Sequence, residues 1–248
     1  MIFTRLLETA VAHLPSLCAV CRGWGVQRVC ADCVQRFVRE VARCQRCALQ
    51  VPEGVAVCGA CQADPPPFAR TLAGVDYAHP WDGLITHFKF HAALDLAPAL
   101  SQRLLEAFRR SQMALPTLLL PVPLSGARLR ERGHNQAWEL ARRLGRALPC
   151  RADAHLLLRV KDTPHQLAFP PDQRAGNVRA AFAVEPRRIT ELRGRSVTLV
   201  DDVMTTGATV AEATRTLLQA GASEVHVWVV ARTPRPDAVR VHGVPGCG

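Results

Sequence analysis

From residue 71 onward, the chain alternates short apolar runs with amphipathic stretches. The apolar runs predict strands at residues 71–77, 117–122, 156–160, 197–200 and 224–230. Apolar residues at helical spacing predict helices at residues 82–90, 96–109 and 136–148, and again in the stretch before Gly221. Strands that alternate with helices predict an α/β domain with a mostly parallel sheet, covered by helices on both faces.

The apolar run at 197–200 ends at two adjacent carboxylates, Asp201 and Asp202. A hydroxyl-rich loop follows, made of Thr205, Thr206, Gly207, Ala208 and Thr209. The next helix is expected to end at Gly221 and to bury one face, which carries Val210, Ala213, Leu217 and Leu218. Ligands of open α/β sheets bind at the carboxyl ends of strands, so this loop is the first candidate site.

This loop places two kinds of chemistry side by side. Its threonine hydroxyls and the N–H groups of residues 206–209, at a helix N-terminus, favour an anion such as phosphate, and Gly207 lets the backbone come close. The acidic pair would repel a phosphate, but it suits vicinal hydroxyls or a hydrated Mg²⁺. A sugar phosphate with a divalent metal satisfies both halves, and an ordinary turn with an Asp or Thr cap is the alternative.

Residues 199–209 resemble the motif that binds 5-phosphoribosyl 1-pyrophosphate (PRPP) in type I phosphoribosyltransferases. Both have an apolar strand, two acidic residues and a Thr-Thr-Gly-x-Thr loop. The resemblance implies the type I phosphoribosyltransferase fold. It also implies that Asp201 and Asp202 hold the ribose hydroxyls, that residues 205–209 hold the 5′-phosphate, and that Mg²⁺ binds together with PRPP.

A second signal lies near the amino terminus, where eight of the ten cysteines form four C-x-x-C pairs. The pairs are Cys18 with Cys21, Cys30 with Cys33, Cys44 with Cys47, and Cys58 with Cys61. Two such pairs complete a tetrahedral zinc site, so one or two structural zinc ions are expected. Sequential pairing gives two zinc ribbons, and interleaved pairing stays open.

Disulfides are the alternative use of these cysteines, and they require an oxidising compartment. Residues 1–17 predict a short amphipathic helix rather than a signal peptide, because Glu8 and His13 interrupt the apolar stretch. The sequence has no run of about 18 apolar residues, so membrane insertion is not expected. These features favour a reducing, cytoplasmic location, where C-x-x-C pairs bind metal.

A stiff run, Asp64-Pro65-Pro66-Pro67, predicts the boundary between two domains. Residues 1–66 are expected to form a zinc-ribbon domain that depends on metal for its stability, because it has few large apolar residues. Residues 67–248 are expected to form the phosphoribosyltransferase-like domain.

The segment 125–136 is predicted to be a basic loop after the strand at 117–122. It contains Ser125, Gly126, Arg128, Arg130 and Arg132. Arginine suits phosphate because its planar fork donates two hydrogen bonds at once. In type I phosphoribosyltransferases a loop at this topological place binds pyrophosphate, which the resemblance implies here, with Lys89 as a further ligand. A solvated basic loop is the alternative.

The same segment indicates a more specific family resemblance. Arg130-x-Arg132-Gly133-x-Asn135-Gln136 resembles a signature of ComF-type proteins. The later positions of that pattern are present as Arg159, Thr163, Gln166, Arg174, Asn177 and Phe182. The four C-x-x-C pairs and Lys89 fit the same family. Two departures are His134, where an aromatic residue is usual, and Ala48, where a glycine is usual.

Resemblance to the ComF family implies a phosphoribosyltransferase-fold protein that is linked to natural competence and to the handling of imported single-stranded DNA. It implies displacement of pyrophosphate at C1 of PRPP by a nucleophile, with Asp201, Asp202, Arg130 and Arg132 as the catalytic residues. The segment 161–177, which contains Lys161 and Arg174, is either a mobile hood over the site or a plain surface loop.

The formal net charge of +10 and the pI of about 9.6 favour partners that carry phosphate, including nucleic acid. Trp24 is the best candidate for stacking on single-stranded DNA, but the interpretation that we favour is that it covers the metal site. The alternative function is a catalytically silent adaptor or sensor. Such a protein would bind DNA, or a competence protein that handles DNA, through its zinc ribbons and basic surface.

Overall fold

A computed structural model describes residues 15–160 and 180–235 of the chain. Its N-terminal part contains two short antiparallel strands, β1 (Ser16–Leu17) and β2 (Trp24–Gly25), and two short helices, α1 (Ala31–Phe37) and α2 (Gly59–Ala63). Each helix begins directly after a cysteine, Cys30 or Cys58. The next cysteine of each pair therefore lies in the first turn of a helix, where it is buried.

A five-stranded parallel sheet forms the centre of the molecule. The elements that build and surround it are, in chain order, β3 (Arg70–Asp76), α3 (Trp81–Phe90), α4 (Ala97–Arg110), β4 (Leu118–Pro121), α5 (Gly126–Arg132), α6 (Gln136–Ala147), β5 (Arg151–Ala152), β6 (Leu157–Arg159), β7 (Phe182–Val184), β8 (Ser196–Met204), α7 (Ala208–Gln219) and β9 (Glu224–Arg232). The strand order in the sheet is β3-β9-β8-β4-β5, and every neighbouring pair is parallel. The predicted α/β class with a mostly parallel sheet is confirmed.

Apolar side chains alternate between the two faces of this sheet. Leu118 and Leu120 belong to one buried cluster with α7, while Leu119 belongs to the other cluster with α3, α4 and α6. This alternation is what a pleated strand covered on both faces requires. Leu148 and Leu218, predicted to face inward, are only partly buried, and Leu148 lies beyond the last turn of α6.

The strand predicted at 197–200 is longer than the apolar run. β8 continues to Met204, because β9 pairs with it along its whole length, from Ser196 opposite Glu224 to Met204 opposite Arg232. Asp201 and Asp202 therefore lie within the strand rather than after it. Backbone pairing with a neighbour overrides the polarity of these side chains.

The strand predicted at 156–160 exists, but it does not join the parallel sheet. β6 pairs antiparallel with β7, through Leu157 opposite Val184 and Arg159 opposite Phe182. The segment predicted to be a hood or a surface loop, residues 161–177, lies outside the described residues.

The segment 125–136 is not the predicted loop, because residues 126–132 form the helix α5. Ser125 caps this helix by accepting a hydrogen bond from Arg128 N at 3.4 Å, and Gly133 ends it in the left-handed conformation at φ 75°. A serine before the run and a glycine after it are helix start and stop signals that the abundance of arginine obscured.

Within residues 15–160 and 180–235, no helix combines the length and the apolar character needed to cross a bilayer.

Candidate functional site

A small cleft of about 140 Å³ lies at the carboxyl ends of β8 and β4. Its walls come from the end of β8 and the following loop, from the segment after β4, and from α3. The residues that line it are Lys89, Val122, Pro123, Leu124, Arg128, Arg132, Asn135, Gln136, Ala137, Arg159 and the continuous stretch 201–210.

An acidic pair on β8 lies at the base of this cleft. Asp202 is 6 % exposed, and Lys89 Nζ from α3 lies 2.8 Å from its Oδ1. Burial by itself lowers the pKa of Lys89, but the charge and the hydrogen bond of Asp202 outweigh it, so the lysine pKa is raised. The ion pair fixes where the Asp202 carboxylate points.

Asp201 differs from its neighbour, because Lys89 does not pair with it directly. Burial, and then the charge of Asp202, raise the pKa of Asp201 to about 7, while Lys89 acts in the opposite direction. One Asp201 oxygen accepts a hydrogen bond from Asp202 N at 2.8 Å. Two carboxylates beside one ammonium leave an excess of negative charge, and a hydroxyl donor or a divalent cation would offset it. Carboxylate oxygens are the ligands that Mg²⁺ prefers, so this donor set fits the metal.

The loop after β8 places a helix N-terminus at the rim of the cleft. Gly207 has φ 86°, a left-handed conformation that favours glycine, and it stands at the N-cap of α7, where it has no side chain to offer as a cap. Thr206 Oγ1 lies 3.3 Å from Ala208 N and accepts a hydrogen bond from it. The first turn of a twelve-residue helix thus borders the cleft, an arrangement that fits a phosphate.

The structure brings only some of the predicted basic residues to the cleft. Arg128 and Arg132 line it, and Arg132 is held by a 3.3 Å hydrogen bond from its Nη1 to Gln136 Oε1 and by the Phe90 ring, 4.7 Å from its guanidinium carbon. Arg130 is exposed and does not line the cleft, because α5 turns it to another side.

Ser125 and Gly126 also lie outside the cleft lining. Ser125 is buried and caps α5, so its role in the structure is to begin that helix.

Asn135 and Gln136 are lining residues that sequence reasoning did not select as site residues. Asn135 Oδ1 caps α6 by accepting hydrogen bonds from Ala137 N and Trp138 N, and its Nδ2 donates to Val122 O at 3.2 Å. Gln136 Nε2 donates to Lys89 O at 3.2 Å. These two side chains join α6 to the ends of β4 and α3, so they set the shape of the cleft wall.

Arg159 also lines the cleft, although the sequence predicted it only as part of a family pattern. Its guanidinium carbon lies 5.4 Å from the centre of the Phe182 ring, across the β6–β7 pair, and its charge lowers the pKa of Asp201. Arg159 reaches the cleft because β6 pairs with β7, a distant segment, so no local motif could have indicated its position.

His134 does not line the cleft. Its Nδ1 lies 2.9 Å from Arg132 O and its Nε2 lies 3.1 Å from Phe88 O, and its ring packs 6.0 Å from the Phe88 ring. The histidine therefore ties the end of α5 to α3, and it keeps the packing role of an aromatic residue at this position.

The eight clustered cysteines form two groups, and their pairing is sequential. The first group is Cys18, Cys21, Cys30 and Cys33, and the second group is Cys44, Cys47, Cys58 and Cys61. Within each group the sulfur atoms all lie within 4.8 Å of one another.

The sulfur distances fit a zinc ion rather than disulfides. The distances are 3.9 Å for Cys18–Cys33, 3.7 Å for Cys21–Cys30 and 3.7 Å for Cys47–Cys58. A disulfide bond is about 2.05 Å long, whereas four sulfurs at about 2.3 Å from one zinc ion lie roughly 3.8 Å apart. Each group could therefore hold a zinc ion.

Backbone N–H groups support the thiolate form of one cysteine in each group. Cys30 N donates to Cys18 Sγ at 3.4 Å, and Cys58 N donates to Cys44 Sγ at 3.3 Å. Burial raises the pKa of each thiol, but such hydrogen bonds outweigh it, so the pKa falls to about 6 at Cys18 and about 7 at Cys44. Thiolates are the form that binds zinc.

Trp24 does not cover a metal site, so the interpretation favoured from the sequence is wrong. The indole is 77 % exposed, on the short strand β2 beside the first cysteine group. A two-residue strand at a tight turn has no neighbouring layer that could bury so large a side chain.

Four residues of the ComF pattern, Thr163, Gln166, Arg174 and Asn177, lie outside the described residues, as does Lys161 of the segment predicted to be a hood or a surface loop.

Comparison with known proteins agrees with the fold and the cysteine groups. The model of the phosphoribosyl transferase domain family matches residues 92–244. The chain is 36% identical over 230 residues to "DNA utilization protein YhgH" of Escherichia coli O6:H1, a match that covers 89% of this chain and 98% of that protein. It is 32% identical over 222 residues to "Competence protein F" of Haemophilus influenzae, which covers 87% of this chain and 96% of that protein. The chain therefore belongs to the phosphoribosyl transferase domain family and, within it, to the ComF-type competence proteins.

Proposed function

We propose that the cleft binds PRPP together with Mg²⁺. The observation that carries the proposal is the joining of an acidic pair and a helix N-terminus on one strand and loop, opposite two arginines. The 5′-phosphate would bind to the N–H groups and hydroxyls of residues 205–209. The ribose hydroxyls would bind to Asp201 and Asp202, as the type I phosphoribosyltransferase motif implies.

The pyrophosphate half of the ligand would face the basic wall of the cleft. Arg128 and Arg132 lie there, and Lys89 reaches the same space from α3 while paired to Asp202. Bound Mg²⁺ would supply positive charge to the pyrophosphate oxygens. This arrangement suits displacement of pyrophosphate at C1, because the arginines would stabilise the charge that develops on the leaving group.

The names of the relatives support a role in the use of DNA. "DNA utilization" and "competence" describe proteins that match this chain over most of its length. We propose that this protein acts in the handling of imported single-stranded DNA, in the reducing cytoplasm where its free cysteines would bind zinc.

A second candidate function is direct binding of single-stranded DNA by the first cysteine group. The 77 % exposed Trp24 supports it, since a base can stack on an indole that the described residues leave largely uncovered. Arg22 is exposed two residues away, and the net charge of +10 would attract the phosphate backbone. In this form the protein would be an adaptor, and PRPP would act as a sensed ligand.

The first prediction concerns the acidic pair. Asp201→Asn combined with Asp202→Asn should weaken binding of Mg²⁺–PRPP by about 100-fold or more, because hydrogen bonds to charged groups are worth about 1.5–3 kcal/mol each. Titration calorimetry would measure this. The exposed Asp32→Asn serves as the control, and a melting curve would show whether the unpaired Lys89 has unfolded the protein. Unchanged affinity in a folded double variant would contradict the proposal.

The second prediction separates the two ends of the ligand. Arg128→Ala and Arg132→Ala should each weaken binding of PRPP by about tenfold or more, but should leave binding of ribose 5-phosphate almost unchanged, because only PRPP carries the pyrophosphate. Competition binding with both ligands would measure the difference, with the exposed Arg109→Ala as control. Equal losses for both ligands would place these arginines at the 5′-phosphate instead. Arg130→Ala in the same assay would test the catalytic role expected from the sequence.

The third prediction concerns pH. The pKa of Asp201 is raised to about 7, so its carboxylate is protonated below that value and ionised above it. Affinity for Mg²⁺–PRPP should therefore rise as the pH increases from 6 to 8, and Asp201→Asn should remove that rise. The phosphates of PRPP also titrate near pH 6, and the variant corrects for this because it binds the same ligand. An identical pH profile in both proteins would contradict this role of Asp201.

The fourth prediction concerns Trp24. Trp24→Ala should weaken binding of a fluorescent oligo-dT strand by about 5- to 100-fold, the range expected for loss of one base–aromatic stack. Trp24→Phe should retain most of the affinity, and Trp138→Phe, which changes a partly buried indole on α6, provides the control. If Trp24→Ala binds the strand as wild type does, the first cysteine group is not the DNA site.

A further inference from the structure

Arg232, the last residue of β9, connects the second cysteine group to the loop of the cleft. Its side chain is 5 % exposed. Nε donates a 2.8 Å hydrogen bond to Cys47 O, and Nη1 donates to Met204 O at 2.8 Å and to Thr205 O. Among the described residues no carboxylate forms an ion pair with Arg232, so its buried charge faces mainly carbonyl oxygens.

The second cysteine group provides the charge that balances Arg232. A zinc ion with four thiolates carries a net charge of −2, and Cys47 is a member of that group. Arg235 also faces the group, with its Nη2 3.9 Å from Cys58 Sγ. A buried guanidinium without such a counter-charge would be costly, since isolated charges are rarely buried. The metal-bound group and Arg232 therefore stabilise each other.

The contacts of Arg232 also fix the orientation of the loop. A trans peptide unit directs its carbonyl oxygen and its N–H to opposite sides. Because the carbonyl groups of Met204 and Thr205 face Arg232, the N–H groups of Thr205 and Thr206 must point away from it. Both threonines line the cleft, so the Arg232 side chain acts on the direction of two donors at the start of the loop. The first of these peptide units is also held by Thr233 N, which donates to Met204 O at 3.1 Å.

The second cysteine group is itself anchored to the sheet, so it can transmit position. Thr71 on β3 binds the segment between Cys44 and Cys47. Its N donates to Gln45 O at 2.9 Å and its Oγ1 donates to Arg46 O at 2.6 Å. Arg43 pairs with Asp76 at the end of the same strand at 2.8 Å. The group therefore offers Arg232 a fixed carbonyl rather than a mobile one.

We propose that Arg232 is a positioning residue that couples zinc binding at the second cysteine group to phosphate binding at the loop of residues 205–209. This inference rests on the proposed function, since it assigns a regulator to the same cleft. Metal at the second group holds Cys47 and balances the arginine charge, and the arginine holds the loop carbonyls. Coupling between two sites is reciprocal, so PRPP must also strengthen the retention of zinc.

The test measures the equilibrium affinity for zinc by competition with a chromophoric chelator, with and without Mg²⁺–PRPP, in wild type and in Arg232→Lys. Lysine keeps the charge but lacks the fork that spans Cys47 and the loop. The matched control is Arg215→Lys on α7, an exposed arginine that pairs with Glu212 and lines the same groove as Cys47 and Arg232. We expect PRPP to raise the zinc affinity of the second cysteine group in wild type and in Arg215→Lys by about 5- to 150-fold, the usual range of coupling, and to have no effect in Arg232→Lys.

Calorimetry on the same proteins separates this inference from the proposed function. If wild type binds PRPP but has the same zinc affinity with and without it, the coupling is overturned, and this result needs no variant. The coupling is also overturned if folded Arg232→Lys behaves as wild type does. If wild type does not bind PRPP, the proposed function fails. The contact is then judged from the zinc affinity without ligand, which should be lower in Arg232→Lys, and an unchanged affinity would overturn it.

Discussion

Continuous parallel pairing of β8 with β9 is the constraint on which the rest of the structure depends. It runs from Ser196 opposite Glu224 to Met204 opposite Arg232, well beyond the apolar run that begins β8. Two carboxylates thus stand near the carboxyl end of the central strand of the sheet, and the loop that we propose binds phosphate starts from a fixed point. A register shift of one residue would turn Asp202 away from Lys89 and would move Arg232 away from the loop carbonyls that it holds.

Much of this arrangement could be predicted from the sequence, because its signals are local. Periodic apolar residues predict the helices and strands, four C-x-x-C pairs predict the metal groups, and the acids and threonines after β8 predict the chemistry of the cleft. The rest depends on contacts between distant segments. Pairing with β7 takes β6 out of the parallel sheet, and the turn of α5 separates Arg128 and Arg132 from Arg130. No pattern within either segment encodes these outcomes.

The two cysteine groups occupy opposite sides of the sheet, although they are adjacent in the sequence. Cys18 and Cys33 are buried with the side chains of α3, α4 and α6, whereas Cys44 and Cys61 are buried with those of α7. Only the second group reaches the cleft through Arg232, and only the first carries the exposed Trp24. The two groups are therefore suited to different tasks, one toward the sugar-phosphate cleft and one toward a partner outside it.

Asn135 and Gln136 of the family signature line the cleft, but the hydrogen bonds of their side chains go to other groups of the protein. Hydrogen bonds join the side chains of Asn135, Gln136 and the adjacent His134 to backbone groups at the ends of α3, β4, α5 and α6. These contacts maintain the walls of the cleft. In a homologue, these positions could persist after Asp201 and Asp202 had been replaced, because the walls serve the fold whether or not a ligand binds. Changes of function within this family should therefore be sought in the acidic pair and the threonine loop. The more recognisable asparagine–glutamine signature reflects the shape of the fold.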